Sequence, residues 1–180
     1  MASGADVLAD LLKGCEKFRA CEPPLERARH AKGQSPKAAV LYCSDSREVA
    51  EKLFSCEKRG EIFGIRLAGN VASEEAIQSA VYAVEHLHVP LLLVLGHSGC
   101  GAVGAKKKGG DKKLEKLLSL VEPDEKLNVR EQVKRLIANE VIAGHIEAGK
   151  LLVAGAIHDL ETGSITELVR VSSDSIELRH

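Results

Sequence analysis

Two short runs hold the side chains whose types and spacing combine into chemistry: Cys43-Ser44-Asp45-Ser46-Arg47 and His97-Ser98-Gly99-Cys100-Gly101. Two thiols and an imidazole are donors that zinc takes in a tetrahedron. Structural zinc sites fill all four corners from the protein, whereas catalytic ones use three protein ligands and leave one position for water. Cys43, His97 and Cys100 supply three, so the set reads as a catalytic zinc site with one position open. His97 and Cys100 share a His-x-x-Cys turn in which Gly99 and Gly101 permit a tight bend. Two thiolates neutralise the charge of Zn²⁺, so water on it acidifies less than on a three-histidine zinc and the surrounding residues must help. Asp45 is placed to accept a hydrogen bond from that water, and Arg47 to fix the carboxylate through a bidentate contact. Released by Arg47, Asp45 would instead reach the fourth corner and close the site. Plainer readings exist: buried cysteine is a common small core residue, and Asp45 with Arg47 also fits an exposed ion pair or a helix cap.

Both runs directly follow apolar stretches. Ala38 to Tyr42, entered from a Gly33-Gln34-Ser35-Pro36 turn, and Pro90 to Leu95, nearly pure Leu and Val, have the composition of strands covered on both faces. In open α/β sheets ligands collect beyond the carboxyl ends of strands, which is where Cys43 and His97 would fall. The interval between them holds a strand at Ile62 to Arg66, a loop at Ala68-Gly69-Asn70, and a helix capped by Ser73 with Glu74 and Glu75 in its first turn. That is the length a right-handed crossover needs. Residues 47–56 read as helical, and Leu114, Leu117, Leu118 and Val121 as a short helix within a Lys-rich stretch. Asn128 with Glu131 resembles a capping pair opening a long helix that ends near Gly149. Leu151 to Ile157 and Ile165 to Arg170 read as neighbouring strands across a Thr162-Gly163 turn. Upstream, Val7, Leu8, Leu11, Leu12 and Cys15 have the spacing of an amphipathic helix, ended by Pro23-Pro24. The alternation predicts an α/β fold: a single domain over residues 1–180, with a mainly parallel β-sheet flanked by helices and an N-terminal helical arm of about residues 1–32.

A chain of 180 residues buries one core but is short for two domains. Its 25 basic and 26 acidic residues nearly cancel, so no global field draws in nucleic acid or an anionic membrane, and neither is an expected partner. Five cysteines without a regular framework fit a reducing, cytoplasmic setting. The segment Met1 to Leu12 contains Asp6 and Asp10 and lacks the pattern of a secretory signal. No run approaches the roughly 18 uninterrupted apolar residues of a membrane span. His30, His86, His88, His145 and His158 stand at no ligand spacing, and Lys106-Lys107-Lys108 reads as part of a solvated loop.

Taken together, these motifs resemble the β-class carbonic anhydrases. The match runs from Gly33-Gln34-Ser35-Pro36 through Cys43-Ser44-Asp45-Ser46-Arg47 and Gly60-Glu61-Ile62-Phe63 to Tyr82-Ala83-Val84 and Gly96-His97-Ser98-Gly99-Cys100-Gly101-Ala102-Val103. The resemblance implies one Zn²⁺ per chain on Cys43, His97 and Cys100, and a gating dyad of Asp45 and Arg47. It implies a substrate pocket with Gln34, Phe63, Leu67, Tyr82 and Gly101, partly contributed across a homodimer interface, with dimers often paired into tetramers. The reaction implied is attack of a zinc-held hydroxide on CO₂ to give bicarbonate. Two positions depart from the family pattern. Arg66-Leu67-Ala68-Gly69-Asn70 stands where members usually read Arg-Asn-x-x-Asn, and Glu48 where an apolar residue is common. An apolar Leu67 would suit carbonyl sulfide or carbon disulfide, which the same chemistry hydrolyses. A reading of another class is a non-catalytic zinc module, closed by Asp45, that senses bicarbonate or supports assembly.

Overall fold

The apolar runs before the two motifs form strands, as their composition predicts. In the computed structural model, which describes residues 2–56 and 59–179, β1 (Ala38–Tyr42) is buried along its whole length. It lies between β2 (Ile62–Arg66) and β3 (Leu91–His97), parallel to both, and β3 is parallel in turn to β4 (Leu152–His158). Beyond β4 the sheet turns antiparallel, through β5 (Ile165–Val171) to β6 (Ile176–Leu178), giving the order β2-β1-β3-β4-β5-β6. This is the expected α/β fold with a mainly parallel sheet.

Contacts divide the chain into two units, Met1–Gln34 and Ser35–His180. The first holds α1 (Gly4–Cys21) and α2 (Pro24–His30). Ser3 and Asp6 close a reciprocal capping box at the start of α1, and Val7, Leu8, Leu11 and Leu12 on that helix are exposed. The second unit holds the sheet and α3 (Ala50–Leu53), α4 (Glu74–Glu85), α5 (Gly101–Lys107), α6 (Glu115–Leu118), α7 (Glu125–Ile137) and α8 (Glu140–Glu147). Among the described residues no helix is long and apolar enough to cross a membrane.

Side chains alternate across β1. Ala39 and Leu41 join a core with Ala76, Ala80 and Val84 of α4, Val129, Val133 and Leu136 of α7, and Ile142 and Ile146 of α8. Val40 and Tyr42 face the other way, toward Ala50, Leu95 and Ala156. Each fully buried Leu or Val contributes roughly 2 kcal/mol by area, which anchors the strands whose ends carry the site. At Gly155 in β4 an added Cβ would lie 2.7 Å from both Val129 Cγ1 and Val169 Cγ1, so α7 seats directly on the sheet there.

Some boundaries differ from expectation. Of residues 47–56 only Ala50–Leu53 are α-helical, and Ser55 has φ 51°, which ends the turn. His97 is the last residue of β3 instead of following it. Helix α5 was not foreseen. Asn128 does not cap α7: the Asp124 side chain accepts from Leu127 N, and Asn128 is buried within the helix. The expected long helix is two, because Asn139 adopts extended backbone and caps α8 by accepting from Val141 N and Ile142 N.

Candidate metal centre

Register explains how the two motifs meet. Tyr42 of β1 pairs with Leu95 of β3, so Cys43, one residue on, and His97, two residues on, leave the same sheet edge side by side. The following turn brings Cys100 back, with Gly99 at φ 63° in the left-handed region glycine adopts freely. The ligand atoms of Cys43, His97 and Cys100 lie within 4.8 Å of one another, and all three residues are buried. Their sulfurs are 3.9 Å apart.

This donor set fits zinc on observations independent of any motif. His97 Nδ1 lies 3.0 Å from the Ser98 carbonyl and donates to it, so the neutral ring presents an unprotonated Nε2. That Nε2 is buried and has no hydrogen-bond partner among the described residues. A buried nitrogen lone pair beside two sulfurs is costly unless something binds it. The hydrogen bond from Cys100 holds the Cys43 thiol well below the usual thiol range, against the opposing effect of burial. The same contact, with burial, pushes Cys100 up. Burial pulls His97 down, but the Cys43 sulfur and the Ser98 carbonyl outweigh it and leave the ring raised. Three donors thus share protons that a divalent cation would displace.

Backbone groups complete the setting of the sulfurs. Gly69 N donates to Cys43 Sγ at 3.3 Å, and the amides of Ala102 and Val103 favour the thiolate form of Cys100. Gly69 has φ 73°, and a Cβ there would meet Ala102 Cβ and Val121 Cγ2, both at 3.1 Å. A buried amide pair braces that loop. Asn128 Nδ2 donates to Gly69 O at 2.8 Å, while Gln132 Oε1 accepts from Ala72 N at 2.8 Å and its Nε2 donates to Asn128 Oδ1 at 3.0 Å.

Asp45 stands beside the cluster, with Oδ2 at 3.9 Å from His97 Nε2. Arg47 donates to it three times: Nε to Oδ1 at 2.9 Å, Nη2 to Oδ2 at 2.7 Å, and the backbone N to Oδ1 at 3.0 Å. These donors hold the Asp45 carboxyl well below the usual carboxylate range. The structure therefore brings Cys43, Asp45, Arg47, His97 and Cys100 together.

The expected pocket residues are less concentrated. Leu67 is partly buried against the cluster containing Cys43 and Cys100. Phe63 and Leu67 line a cavity of about 250 Å³ together with Arg66, Glu75 and Ser79. The Tyr82 ring is 6.0 Å from Phe63 and 5.1 Å from His86, and Tyr82 is exposed. Gly101 opens α5, and Gln34 is an exposed residue of the first unit.

Three features had no motif to announce them. Arg66 Nη2 donates to the carbonyls of Cys43, Asp45 and Glu48, at 3.2, 2.9 and 3.0 Å, with the guanidinium 4.7 Å above the Tyr42 ring. The amide network of Asn128 and Gln132 is the second. The third is a buried contact between Glu48 Oε1 and His158 Nδ1 at 2.8 Å. Glu48, standing where an apolar residue is common, was the visible signal for that last one.

Comparison with known proteins gives one answer. The family model described as carbonic anhydrase matches residues 38–127, which include both motifs. Carbonic anhydrase 2 of Mycobacterium tuberculosis is 34% identical over 181 residues, covering 85% of this chain and 87% of the relative. The β-carbonic anhydrase CafA of Aspergillus fumigatus superposes with a TM-score of 0.72 at 26% identity, covering 90% of each chain. A tetrameric β-carbonic anhydrase of Sordaria macrospora shares the fold with a TM-score of 0.73, at 23% identity over 90% of this chain and 95% of that one. With the sulfur and imidazole donors at the ends of β1 and β3, this extent of likeness means that the chain belongs to the β-class carbonic anhydrase family.

Proposed function

We propose that this protein catalyses the reversible hydration of CO₂ to bicarbonate with one zinc ion per chain, which Cys43, His97 and Cys100 would hold. The observation that carries the reading is the convergence of three buried donors within 4.8 Å while the adjacent carboxylate of Asp45 is engaged by Arg47. Bound there, zinc supplies acidification of water near neutral pH and Lewis-acid polarisation of substrate oxygen.

The chain's own residues do the rest. The Gly69 amide and the amides at the start of α5 favour the anionic form of the two sulfurs, which a bound cation would complete. The His97 ring is held by its Nδ1 contact so that Nε2 faces the two sulfurs. Asp45 accepts a hydrogen bond from the reacting water and orients it, and Arg47 keeps that carboxylate from taking the water's place. Leu67 supplies an apolar wall against the sulfur cluster, suited to a small nonpolar gas. Gln34, Phe63, Tyr82 and Gly101 remain our assignment for the rest of the substrate approach.

We infer a homo-oligomer, dimer or tetramer, in the cytoplasm. The tetrameric Sordaria macrospora relative and the exposed apolar residues Val7, Leu8, Leu11 and Leu12 of α1 support assembly. The unpaired Cys15, Cys21 and Cys56 support a reducing compartment. In this reading one domain holds the site and the helices near the N-terminus form its arm. The relatives above are named carbonic anhydrases, which favours CO₂ over carbonyl sulfide, and Arg47's hold on Asp45 argues against a permanently closed module. Stopped-flow CO₂ hydration by zinc-loaded protein at pH 7 and 9 tests the proposal. A rate equal to buffer at both values would defeat it, and sulfide release from carbonyl sulfide in its place would transfer the assignment.

A further inference from the structure

Glu48 and His158 have no part in the reading above, yet both are buried, with exposures of 1% and 5%. Glu48 Oε1 accepts from His158 Nδ1 at 2.8 Å, while Glu48 Oε2 is buried and has no hydrogen-bond partner among the described residues. A half-satisfied buried carboxylate is an expensive way to fill space, and an apolar pair of similar volume would ordinarily pack at lower cost. Stability alone does not account for it.

What the pair touches does. Glu48 N donates to Asp45 O at 3.0 Å, and Glu48 O accepts from Arg66 Nη2 at 3.0 Å, so its backbone belongs to the loop that bears Asp45 and Arg47. Its side chain leaves that loop for the end of β4. There the His158 carbonyl accepts from Ser98 N at 2.9 Å, inside the turn that carries His97 and Cys100. Leu160 N donates to Ser98 Oγ at 2.9 Å, bracing the same turn from the same segment. His158 is thus bonded to both motif loops, to one through its ring and to the other through its carbonyl.

We propose that Glu48 and His158 are positioning residues that tie the Asp45–Arg47 loop to the end of β4 and so hold Asp45 on Arg47, away from the metal position. This rests on the carbonic anhydrase reading for its catalytic consequence, though not for its geometric one. Without the tether the loop keeps its Arg66 contacts to β2 but loses its link to the end of β4, and Asp45 competes more effectively for the fourth position.

The test compares Glu48→Val, Glu48→Gln and His158→Phe. Each is measured for CO₂ hydration per bound zinc, for the visible absorption of the cobalt-loaded protein, and for thermal unfolding. Cobalt absorption reports whether a carboxylate has replaced water on the metal, whatever the protein catalyses. We expect Glu48→Val and His158→Phe each to lower kcat about tenfold, the effect of losing one charge-assisted hydrogen bond, and to shift the cobalt spectrum. Asp45→Ala added to Glu48→Val should abolish that spectral shift. Glu48→Gln retains an oxygen for His158 Nδ1–H and should stay within about threefold of the parent, with its spectrum. The double variant Glu48→Val/His158→Phe should be no worse than either single one, since both remove one contact. Parental kcat and spectrum in Glu48→Val and His158→Phe, whatever happens to the unfolding temperature, would overturn the proposal. Should Glu48→Val not fold, His158→Phe, which keeps the ring volume, decides alone. If the parent shows no CO₂ hydration, the functional reading falls while the cobalt spectra still judge the tether.

Discussion

Replacing Arg66 by Met should loosen the metal site through the backbone alone. One nitrogen, Nη2, lies within 3.2 Å of three carbonyl oxygens, those of Cys43, Asp45 and Glu48. It has two hydrogens, so two of these carbonyls are served at a time and the third shares. A hydrogen bond from a charged donor contributes about 1.5–3 kcal/mol, but Arg66 is exposed and water replaces much of what is lost, which leaves about 2 kcal/mol. The stack of its guanidinium on Tyr42 at 4.7 Å adds roughly 0.5 kcal/mol. For a chain of this size each kcal/mol moves the midpoint by about 2–4 °C, so Arg66→Met should melt about 5–10 °C lower. All three carbonyls belong to one loop, so zinc loss to a chelator should accelerate by more than global destabilisation explains. Arg66→Lys should fall between, because an ammonium can serve the carbonyls but presents no planar face to Tyr42. Thermal unfolding and EDTA-driven zinc release on the same preparations measure both effects. A melting point within 1 °C of the parent, or unchanged zinc release, would refute the clamp.

Three further outcomes follow from single contacts. Cys43→Ser and Cys100→Ser should each reduce bound zinc to below about a tenth of an equivalent by elemental analysis, since hydroxyl oxygen is a poor substitute for thiolate on zinc. Gly155→Ala should destabilise by about 1–3 kcal/mol in urea, because the new methyl meets Val129 and Val169 at 2.7 Å; Val129→Ala in the same chain should restore part of the loss, and a neutral single substitution contradicts the packing. The Glu167 carboxyl is held below its usual range by hydrogen bonds from Arg170. A depressed pKa contributes stability that is present above the unfolded value of about 4.3 and is lost as pH falls through the folded one. Glu167→Gln should therefore be less stable than the parent at neutral pH, and the two should converge in acid, as followed by thermal unfolding across pH.

The parallel strands and the convergence of Cys43, His97 and Cys100 are legible for the same reason: each depends on a short local pattern. Pro90 to Leu95 has the Leu and Val composition of a covered strand, and His-x-x-Cys after such a strand has few plain uses. Asn128 shows where local pattern fails. With Glu131 three residues later it imitates a cap, but the capping role goes to whichever residue adopts extended backbone, and that is Asp124, at φ −138°. Asn128 is buried instead because its amide serves Gly69 O, 59 residues away in sequence, as well as Glu122 N in the turn before the helix. The break at Asn139 was hidden because apolar spacing continues across it. Helix α5 was hidden by glycines and lysines that give no apolar stripe, and β6 by its three exposed residues, which the ladder to β5 alone makes a strand. The Arg66 clamp and the Glu48–His158 contact are side-chain agreements between elements, with no periodicity to reveal them. Residues 47–56 form so little helix because Val49, at φ −134°, is extended just before Ala50, and Ser55, at φ 51°, ends the turn after Leu53.

Arg47→Ala separates what holds the fold from what holds the site. The Arg47 side chain is 55% exposed and that of Asp45 18%, so as an ion pair they contribute no more than about 1 kcal/mol to stability. The melting point should therefore move by less than about 4 °C. The local consequence is larger. Two of the three donors on Asp45 disappear, and only the backbone N of residue 47 remains, at 3.0 Å. Oδ2 already lies 3.9 Å from His97 Nε2, so the carboxylate needs only a small rotation to compete for the metal's fourth position. Weakening the open state by even about 1.4 kcal/mol changes the ratio of the two states tenfold. The expected result is a fall of about tenfold in CO₂ hydration per bound zinc, together with slower zinc release to EDTA, because a fourth protein ligand holds the ion. Slower release is the informative sign, since simple loosening of the loop would speed it. Adding Asp45→Ala should return zinc release to the parental rate or faster without a further multiplicative loss of turnover, as expected when two residues act on one equilibrium. If Arg47→Ala released zinc faster than the parent, or kept parental turnover, Arg47 would be no more than a surface cation beside Asp45.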